Sequence, residues 1–571
     1  MAGSRDLYLN GCLNGIQPRK EPMSFRSIGF VCVFALAAQP GVAAEDEAVR
    51  RALQERVEHM MFVDTLEIEG EPLLAGALIA QVYGERDYRP AWRRADALAQ
   101  LRGLVALAQS EGLPAADYPL TNLQTVQDRL ARSESPADIA SFDLLATELL
   151  IRVAYHMRFG KVDPATQNPA WNFKRELRPS RDPAETLEQL AAEPNVAEAV
   201  ARMFPRGWLY ERAKETLSQY RALLAAGGWP AISDGPVLNI GDRGPRVAEL
   251  RARLRVTGEL ARTNAPDPQL FDEALSTAVV EFQRRHGLDA DGAVGKQTLA
   301  TMNVNVGHRV GQLRLTLERG RWVMDELDQR FVLVNIAGFY AALVENRKYL
   351  WYTPVQVGTP FRKTPVFRGE MEYLVFNPTW VVPPGILRKD ILPRLAKDPG
   401  YLQEKNFRVL DRSWNPVDAS AIDWTTMSSR AFPYILEQGP GPTNALGRVK
   451  FIFPNSHFVF LHDTPSQALF ERASRSFSSG CIRVKDPLEL ARLLLDDEDA
   501  WSAEQIQATL DAASTRTVHL REPLPVLLLY WTADFHPETG EVHFYDDIYS
   551  RDAELLNALD GDVSIKLALS N

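Results

Sequence analysis

The sequence predicts a multidomain α+β protein: a helical scaffold, a small three-helix unit and a mainly β domain interrupted by a helical insertion. Three observations predict it. The chain has 571 residues, more than one hydrophobic core serves. Up to about residue 306 the apolar residues recur at spacings of three and four, the mark of amphipathic helices. From about residue 330 the pattern changes to short β-favouring runs set apart by Gly, Pro and Asn.

Residues 1–44 read as leader and signal peptide. From Met23 a short basic stretch precedes an apolar run over 28–38, too short to span a bilayer, and small residues up to Ala44 offer a cleavage point. Residues 1–22 lack that character, which makes Met23 a second candidate start. An uncleaved membrane anchor is the alternative reading. Residues 45–236 read as the helical scaffold, with Leu73, Leu74, Ala77 and Ala80 on one face, Leu101, Leu104 and Leu107 on another, and Leu144, Leu145, Leu149 and Val153 on a third. No catalytic constellation stands out there, and His59 and His156 read as solvated or satisfied.

Residues 237–306 form the small unit. A turn-rich entry over 239–244 leads to a helix with Val247, Leu250 and Leu254; a second helix carries Leu275, Val279 and Phe282; a Gly/Asp loop over 287–295 precedes a short helix with Leu299 and Met302. Asp289 and Asp291 lack the ligand count and terminal Glu of a calcium loop. Residues 307–328 read as an amphipathic linker helix, with Val306, Val310, Leu313, Leu317 and Met324 on one side. Strands are expected over 331–337, 340–345, 350–357, 372–376, 450–453 and 458–461, with closing strands over 526–531 and 541–545. The insertion between Pro383 and Pro433 has helical character, and insertions of that length often form lids or substrate walls.

The formal net charge of −10 and the lack of a Lys/Arg run argue against nucleic acid as a partner. Cleavage after Ala44 removes Cys12 and Cys32, leaving Cys481 alone and no internal disulfide. A lone thiol in an exported protein is an oxidation hazard unless it is buried and inert or is used. Cys481 sits in Ser478-Ser479-Gly480-Cys481-Ile482-Arg483, nineteen residues after His462. An imidazole can take the thiol proton and a cation can stabilise the thiolate, the arrangement of a covalent acyl-transfer enzyme. Gly480 gives the backbone freedom to approach a carbonyl, and the Gly480 and Cys481 amides are the expected oxyanion hole. Arg483 is expected to stabilise the thiolate or hold the loop, ahead of anchoring a substrate carboxylate. Phe460 and Trp380 are candidate substrate walls or core aromatics; Phe460 is favoured because, two residues before His462 on a strand, it shares its side. Ser478 and Ser479 either donate hydrogen bonds near the sulfur or brace the loop. With no HExxH, no CxxC and no Gly-rich loop opening a suitable helix, no metal or cofactor is expected.

These residues resemble the L,D-transpeptidases with a YkuD-type catalytic domain, which carry a His, a gap, then Ser/Thr-His/Asn-Gly-Cys-apolar-Arg. Ser479 stands where that family has His or Asn, which removes a side-chain acid or base there but leaves the Cys–His pair. Segments 377–384, 388–390, 439–440, 444–447, 462–465, 475–477 and 546–549, with Phe470, are similar to the large periplasmic, YcbB-like branch. Residues 237–306 resemble the small peptidoglycan-binding domain. The resemblance implies a scaffold over 45–236, that binding domain over 237–306, a linker helix over 307–328, a catalytic domain over 329–515 with a lid at about 384–432, and C-terminal strands and tail over 516–571. It implies that Cys481 attacks the third residue of a tetrapeptide stem, that His462 cycles between base and acid, and that a second stem amine resolves the thioester as a 3→3 cross-link. A backbone carbonyl or Asp463 would orient His462, and a carbapenem would acylate Cys481. The implied partners are peptidoglycan stem peptides and glycan, with other wall-synthesis enzymes. The implied place is the periplasm, cell-wall associated, with no stable membrane span after signal cleavage.

Two other classes compete. A thiol hydrolase of wall peptides, including an L,D-carboxypeptidase, shares nucleophile and base; a papain-like fold is disfavoured because here His precedes Cys and strands precede the Cys loop. A non-catalytic wall-binding protein acting through 237–306 alone leaves the His462, Cys481 and Arg483 set without a purpose.

Overall fold

The computed structural model describes residues 40–63, 65–173, 182–204, 207–261, 266–323, 327–428 and 432–565. The leader and Met324 lie outside the described residues, except that residues 40–44 begin the helix Pro40–Met60. Residues 49–571 make one compact unit. No described helix is long and apolar enough to cross a membrane.

The helix Pro136–Phe159 is the axis of the N-terminal region, buried on nearly every side. Leu144, Leu145, Leu149 and Val153 pack there with Leu101 and Leu104 of Ala97–Ser110 and with Leu123 and Val126 of Leu120–Leu130. One expected face is displaced. The helix after Leu73 begins only at Gly76, so Ile79, Val82 and Tyr83 are buried while Ala77 is exposed. His156 is buried, with its Nδ1 3.0 Å from the Tyr118 hydroxyl.

The helices Pro245–Thr257, Glu273–Arg285 and Lys296–Met302 enclose a separate small core of Val247, Leu250, Leu254, Leu275, Val279, Phe282 and Met302. Asp272 caps the second helix through the Leu275 amide. Asp291 accepts from Gln283 and from the Ala293 amide, so the loop acid is engaged in its own turn.

The linker helix runs Val306–Val323 and is not one-sided. Arg309, Gln312, Glu318, Arg319 and Arg321 are buried along with its apolar residues. Helices that bury polar groups this completely must pair them. Glu318 accepts from the Val162 amide at 2.8 Å and from Arg321 Nη2 at 2.6 Å, while Arg321 Nη1 donates to the Tyr210 hydroxyl and to Glu111 O. Arg314 reaches Gly112 O, and Gln312 donates to Thr532 O and Tyr545 O. The helix therefore joins scaffold to C-terminal region through its polar side chains, which periodicity of apolar residues does not report.

Nine strands build the main sheet, labelled here in chain order: β1 Arg330–Asn335, β2 Tyr340–Glu345, β3 Lys348–Gly358, β4 Phe367–Phe376, β5 Val449–Ile452, β6 Leu461–His462, β7 Ser476–Ser478, β8 Ile482–Val484 and β9 Arg516–Leu529. The order is β7-β3-β8-β6-β5-β4-β9-β1-β2, and β2 pairs back onto β3. Eight strands thus close a ring around Val332, Val334, Val355, Val449, Phe451, Leu461, Ile482 and Val484, with β7 added to β3. Closure leaves few open edges.

Two strand expectations change. The run expected over 458–461 is a strand only at Leu461–His462, because Phe458 takes φ +54 and Asn455 ties the preceding turn through Phe453 O and Val459 O. The closing strand expected over 526–531 is longer, beginning at Arg516, whereas Val542–Phe544, within the 541–545 run, pairs with Ala533–Phe535 in a separate two-stranded sheet. β9 runs between β4 and β1, antiparallel to the first and parallel to the second, so the residues after 515 supply an internal strand of the sheet. Its register shifts between His519 and Leu524, where the charged and proline-containing sequence broke the apolar pattern.

Between β4 and β5 the insertion forms its own body. The strands Trp380–Val381, Ile435–Gln438 and Phe407–Leu410 pair in that order, and Leu387, Ile391, Leu392, Leu395, Trp424 and Phe432 fill the space beneath them. It is a small α/β layer rather than a purely helical flap; within the expected 384–432, residues 429–431 lie outside the described residues.

Removing one partner of a buried pair leaves an uncompensated charge. Glu318→Ala should therefore lower stability by about 3–5 kcal/mol, read as a lower urea midpoint at 25 °C. The surface control Arg202→Ala, whose ion pairs are exposed, should change it by less than about 1 kcal/mol.

Candidate active site

Cys481 immediately precedes β8, and His462 ends β6. These strands run parallel, pairing Leu461 with Ile482 and His462 with Arg483. Side chains alternate across a strand, so Leu461, Ile482 and Val484 enter the core while His462, Cys481 and Arg483 take the opposite face. Across the same face Lys450 of β5 pairs with His462, and Gln356 of β3 with Arg483. The result is one row, Lys450–His462–Arg483–Gln356, with Cys481 at its mouth.

His462 is buried, and its Nδ1 is hydrogen-bonded to Asp463 O. A carbonyl only accepts, so Nδ1 carries the proton and Nε2 is left as the basic nitrogen. The orienting group is thus the Asp463 backbone. The Asp463 carboxylate is engaged elsewhere: Oδ2 accepts from Arg448 N at 2.9 Å and Arg448 Nε at 2.7 Å, and Oδ1 from Gln467. Gly447 makes this possible. Its φ is +62, and a Cβ there would fall 2.5 Å from the Asp463 side chain. The Gly447 contact is one that sequence reasoning missed; its only trace was the run Asn444-Ala445-Leu446-Gly447.

The loop before Cys481 is braced from within. Buried Ser478 donates from Oγ to Cys481 O and accepts the Gly480 amide at 3.0 Å. Gly480 has φ +121, a conformation that favours glycine, and its carbonyl accepts from Thr364 Oγ1 at 2.8 Å. Of the two amides expected to face an oxyanion, the Gly480 N–H is therefore already used, because that φ turns it onto Ser478. The Cys481 N–H has no internal hydrogen bond among the described residues. Ser479 is exposed, and its hydroxyl accepts from Arg362 Nη1 at 2.6 Å; the same guanidinium pairs with Asp390 of the insertion at 3.0 Å.

Phe460 lies just outside β6, yet its ring is 6.1 Å from that of His462, beneath the Lys450 ammonium at 4.1 Å. Trp380 belongs to the insertion, on its short strand against Phe407. Lys450 is the second residue that sequence reasoning missed. The alternation in β5, with Val449 and Phe451 inward, was the signal that could have found it.

Burial sets the resting protonation. Desolvation, and then the Arg483 cation, hold His462 down to about 3. Desolvation raises the Cys481 thiol above its ordinary value, against the opposing pull of the Phe460 backbone and of Lys450 and Arg483. Cys481 is the free cysteine of the described residues and remains half-buried, and its Sγ lies 3.7 Å from Phe458 O. Cys481 thus rests as a thiol and His462 as a neutral imidazole on one face, with Nε2 the nitrogen left basic.

Two outcomes follow. Alkylation of Cys481 by iodoacetamide should rise only above the usual cysteine range of about 8.5. It should show no inflection near the ordinary histidine value of about 6.5, since the imidazole is neutral above about 3. A plateau already reached by about pH 6 would show a preformed ion pair instead. Gly447→Ala should displace Asp463 and His462, slowing that alkylation at neutral pH on the order of tenfold or more, with only a modest change in thermal midpoint.

Comparison with known proteins adds the lineage. Residues 329–507 match YkuD, described as the L,D-transpeptidase catalytic domain, residues 77–217 a family described as "Scaffold domain", and residues 243–302 one described as "Putative peptidoglycan binding domain". A Haemophilus influenzae protein named "Putative L,D-transpeptidase" is 36% identical over 224 residues, 39% of this chain and 45% of that protein. A Mycobacterium tuberculosis protein, N-acetylmuramoyl-L-alanine amidase CwlM, is 32% identical over 125 residues, 20% of this chain and 30% of that protein. The chain thus spans less than half the length of these curated relatives. The crystal structure of an L,D-transpeptidase from Xylanimonas cellulosilytica aligns at 15% identity over 52% of this chain and 100% of its own, with a TM-score of 0.17, too low to bear on the fold. With the Cys481–His462 face in hand, the match over 329–507 identifies that region as a member of the YkuD family of L,D-transpeptidase catalytic domains, carried in one chain with a peptidoglycan-binding domain.

Proposed function

We propose that the protein is a peptidoglycan L,D-transpeptidase that forms 3→3 cross-links through a Cys481 thioester. The observation that carries this reading is the shared face of β6 and β8, on which the thiol, the Nε2-basic imidazole and Arg483 stand together. In the first half-reaction Cys481 Sγ attacks the carbonyl of the third residue of a tetrapeptide stem, and its proton passes to His462 Nε2. The Cys481 amide, with its N–H unengaged, faces the developing oxyanion. The peptide C–N bond breaks, His462 returns the proton to the departing terminal amine, and a thioester remains. In the second, the side-chain amine of another stem attacks the thioester, loses its proton to His462 and releases the thiol. Water in place of that amine would give L,D-carboxypeptidase activity.

The other parts have matching roles in this reading. The insertion carrying Trp380 acts as a wall or lid, tied to the Cys loop through the Arg362 contacts with Asp390 and Ser479. The three-helix domain engages glycan. Export by a cleavable signal over 23–44 brings the enzyme to the periplasm, where stem peptides and other wall-synthesis enzymes are its partners. A carbapenem, a strained acyl donor, acylates Cys481.

The test is mass-spectrometric product analysis with a purified disaccharide-tetrapeptide, alongside Cys481→Ala. A tetrapeptide–tripeptide dimer absent with the variant is the expected result, as is a covalent carbapenem adduct on the Cys481 peptide. Tripeptide alone would assign the hydrolase, and unchanged substrate would remove the stem peptide as donor.

A further inference from the structure

Two cations stand on the Cys481 face with no anion to pair with among the described residues. Lys450 and Arg483 flank His462 in the cross-strand row, one on β5 and one on β8. Among the described residues the Lys450 side chain makes no salt bridge and no hydrogen bond; its ammonium lies 4.1 Å over the Phe460 ring. Arg483 Nη1 donates to the neutral Gln356 amide oxygen at 3.2 Å, and its buried Nε has no hydrogen-bond partner. Three neighbouring basic groups off this row are ion-paired, Arg448 with Asp463, Arg362 with Asp390 and Lys485 with Glu471, while Arg475 and Lys363 are satisfied by backbone carbonyls, a compensation Lys450 lacks among the described residues. The contrast is physical. A half-buried cation loses hydration and is compensated by an anion or by aligned dipoles, and this row supplies one ring face and one amide oxygen for two charges. Burial draws the ionisation of both Lys450 and Arg483 downward, and each is pulled back by the Cys481 sulfur. No described side chain on this face offers an anion to the pair, which leaves that place to a ligand.

We propose that Lys450 and Arg483 form a carboxylate-binding pair beside the nucleophile, selecting acyl donors that bear a free carboxylate close to the carbonyl under attack: peptide acids over peptide amides. The inference rests on the acyl-transfer reading above and adds a specificity determinant to it. The two backbones stand two strand spacings apart, about 10 Å, with the imidazole between them. Both side chains are long and rise from one face, so a carboxylate lying over that row is drawn by an ammonium on one side and a guanidinium on the other. The same pair favours the thiolate that forms during attack, so substrate binding and nucleophile activation draw on one local field.

Alkylation tests the pair without any peptide substrate. Iodoacetate and iodoacetamide react by the same step, in which the S–C bond forms, iodide leaves and the thiol proton passes to His462 or solvent. They differ in that one carries a carboxylate. In the full chain, with modification read on the Cys481-containing peptide by mass spectrometry, the iodoacetate-to-iodoacetamide rate ratio should exceed that of free cysteine. Lys450→Met should lower the ratio on the order of tenfold, Arg483→Gln should lower it too, and Lys450→Arg should preserve it. Raising salt from about 0.05 to about 1 M, a range that carries the solution into strong screening, should compress the wild-type ratio, a readout that needs no variant to fold. A wild-type ratio equal to that of free cysteine overturns the proposal, as does a ratio unmoved by Lys450→Met. Equal falls in both rates also overturn it, by assigning Lys450 to thiol ionisation alone. With stem peptides, the preference for a terminal acid over a terminal amide should shrink in Lys450→Met. If neither protein turns over any stem peptide while the alkylation ratios behave as expected, the transpeptidase reading fails and the carboxylate site stands.

Discussion

The parallel pairing of Leu461 with Ile482 and His462 with Arg483 is the constraint on which the site depends. Side-chain direction in a strand has a period of two, so a one-residue slip would send His462 into the core and bring Leu461 out. The pairing itself is only two residues long. What holds it is the ring: β6 is fixed by β5, β8 by β3, and both neighbours are tied into longer ladders with β4 and β2. The apolar residues that alternate with the reactive ones, Leu461, Ile482 and Val484, make the correct register the one that buries them fully. Packing on one side of the sheet thus fixes chemistry on the other.

Burial and charge pull the nucleophile in opposite directions, and burial wins at rest. Two nearby cations favour a thiolate, but desolvation around the sulfur outweighs them. The imidazole meets the same pressure with the opposite sign of charge, since a protonated His462 would be both desolvated and repelled by Arg483 and Lys450. Both partners are therefore neutral until substrate arrives. A thiol oxidises far more slowly than a thiolate, so a protonated Cys481 is guarded against oxidation at rest.

Much of this was legible in the sequence because it rests on local chemistry. The Ser-Ser-Gly-Cys-Ile-Arg run and the upstream His462 singled out two residues that the fold places on one face, and the spacing of three and four marked the helices of the small three-helix domain. What was not legible depends on contacts between distant segments. The Gly480 amide was expected to face the substrate, yet its rotation onto Ser478 follows from a φ of +121 that the sequence only permits. A backbone carbonyl and the Asp463 side chain were the two expected orienters of His462; that the carbonyl is Asp463's own, with its carboxylate turned to Arg448 and Gln467 over the missing side chain at Gly447, was not legible. Lys450 was overlooked because a lysine in a strand carries no signature until the register shows which residues it faces. The Val306–Val323 helix was read as one-sided because periodicity weighs apolar residues, and its polar residues are buried in pairs that no local pattern reveals.

The three-helix domain is bound to the β domain at several points. Asp289 Oδ1 accepts the Ala473 amide at 3.0 Å, shortly before β7 and the Cys481 loop, and Arg285 donates to Val542 O. Gly287 comes so near Tyr545 that a Cβ would lie 3.3 Å from its ring. A module on a flexible linker samples many orientations, and the effective concentration of what it holds falls steeply with linker length. Here the geometry is set instead by hydrogen bonds and packing. A polymer gripped by this domain would be offered to the thiol in one direction and at one offset along its length. The docking fixes which way the domain faces relative to Cys481, so a ligand held there would meet the thiol at one set orientation rather than many.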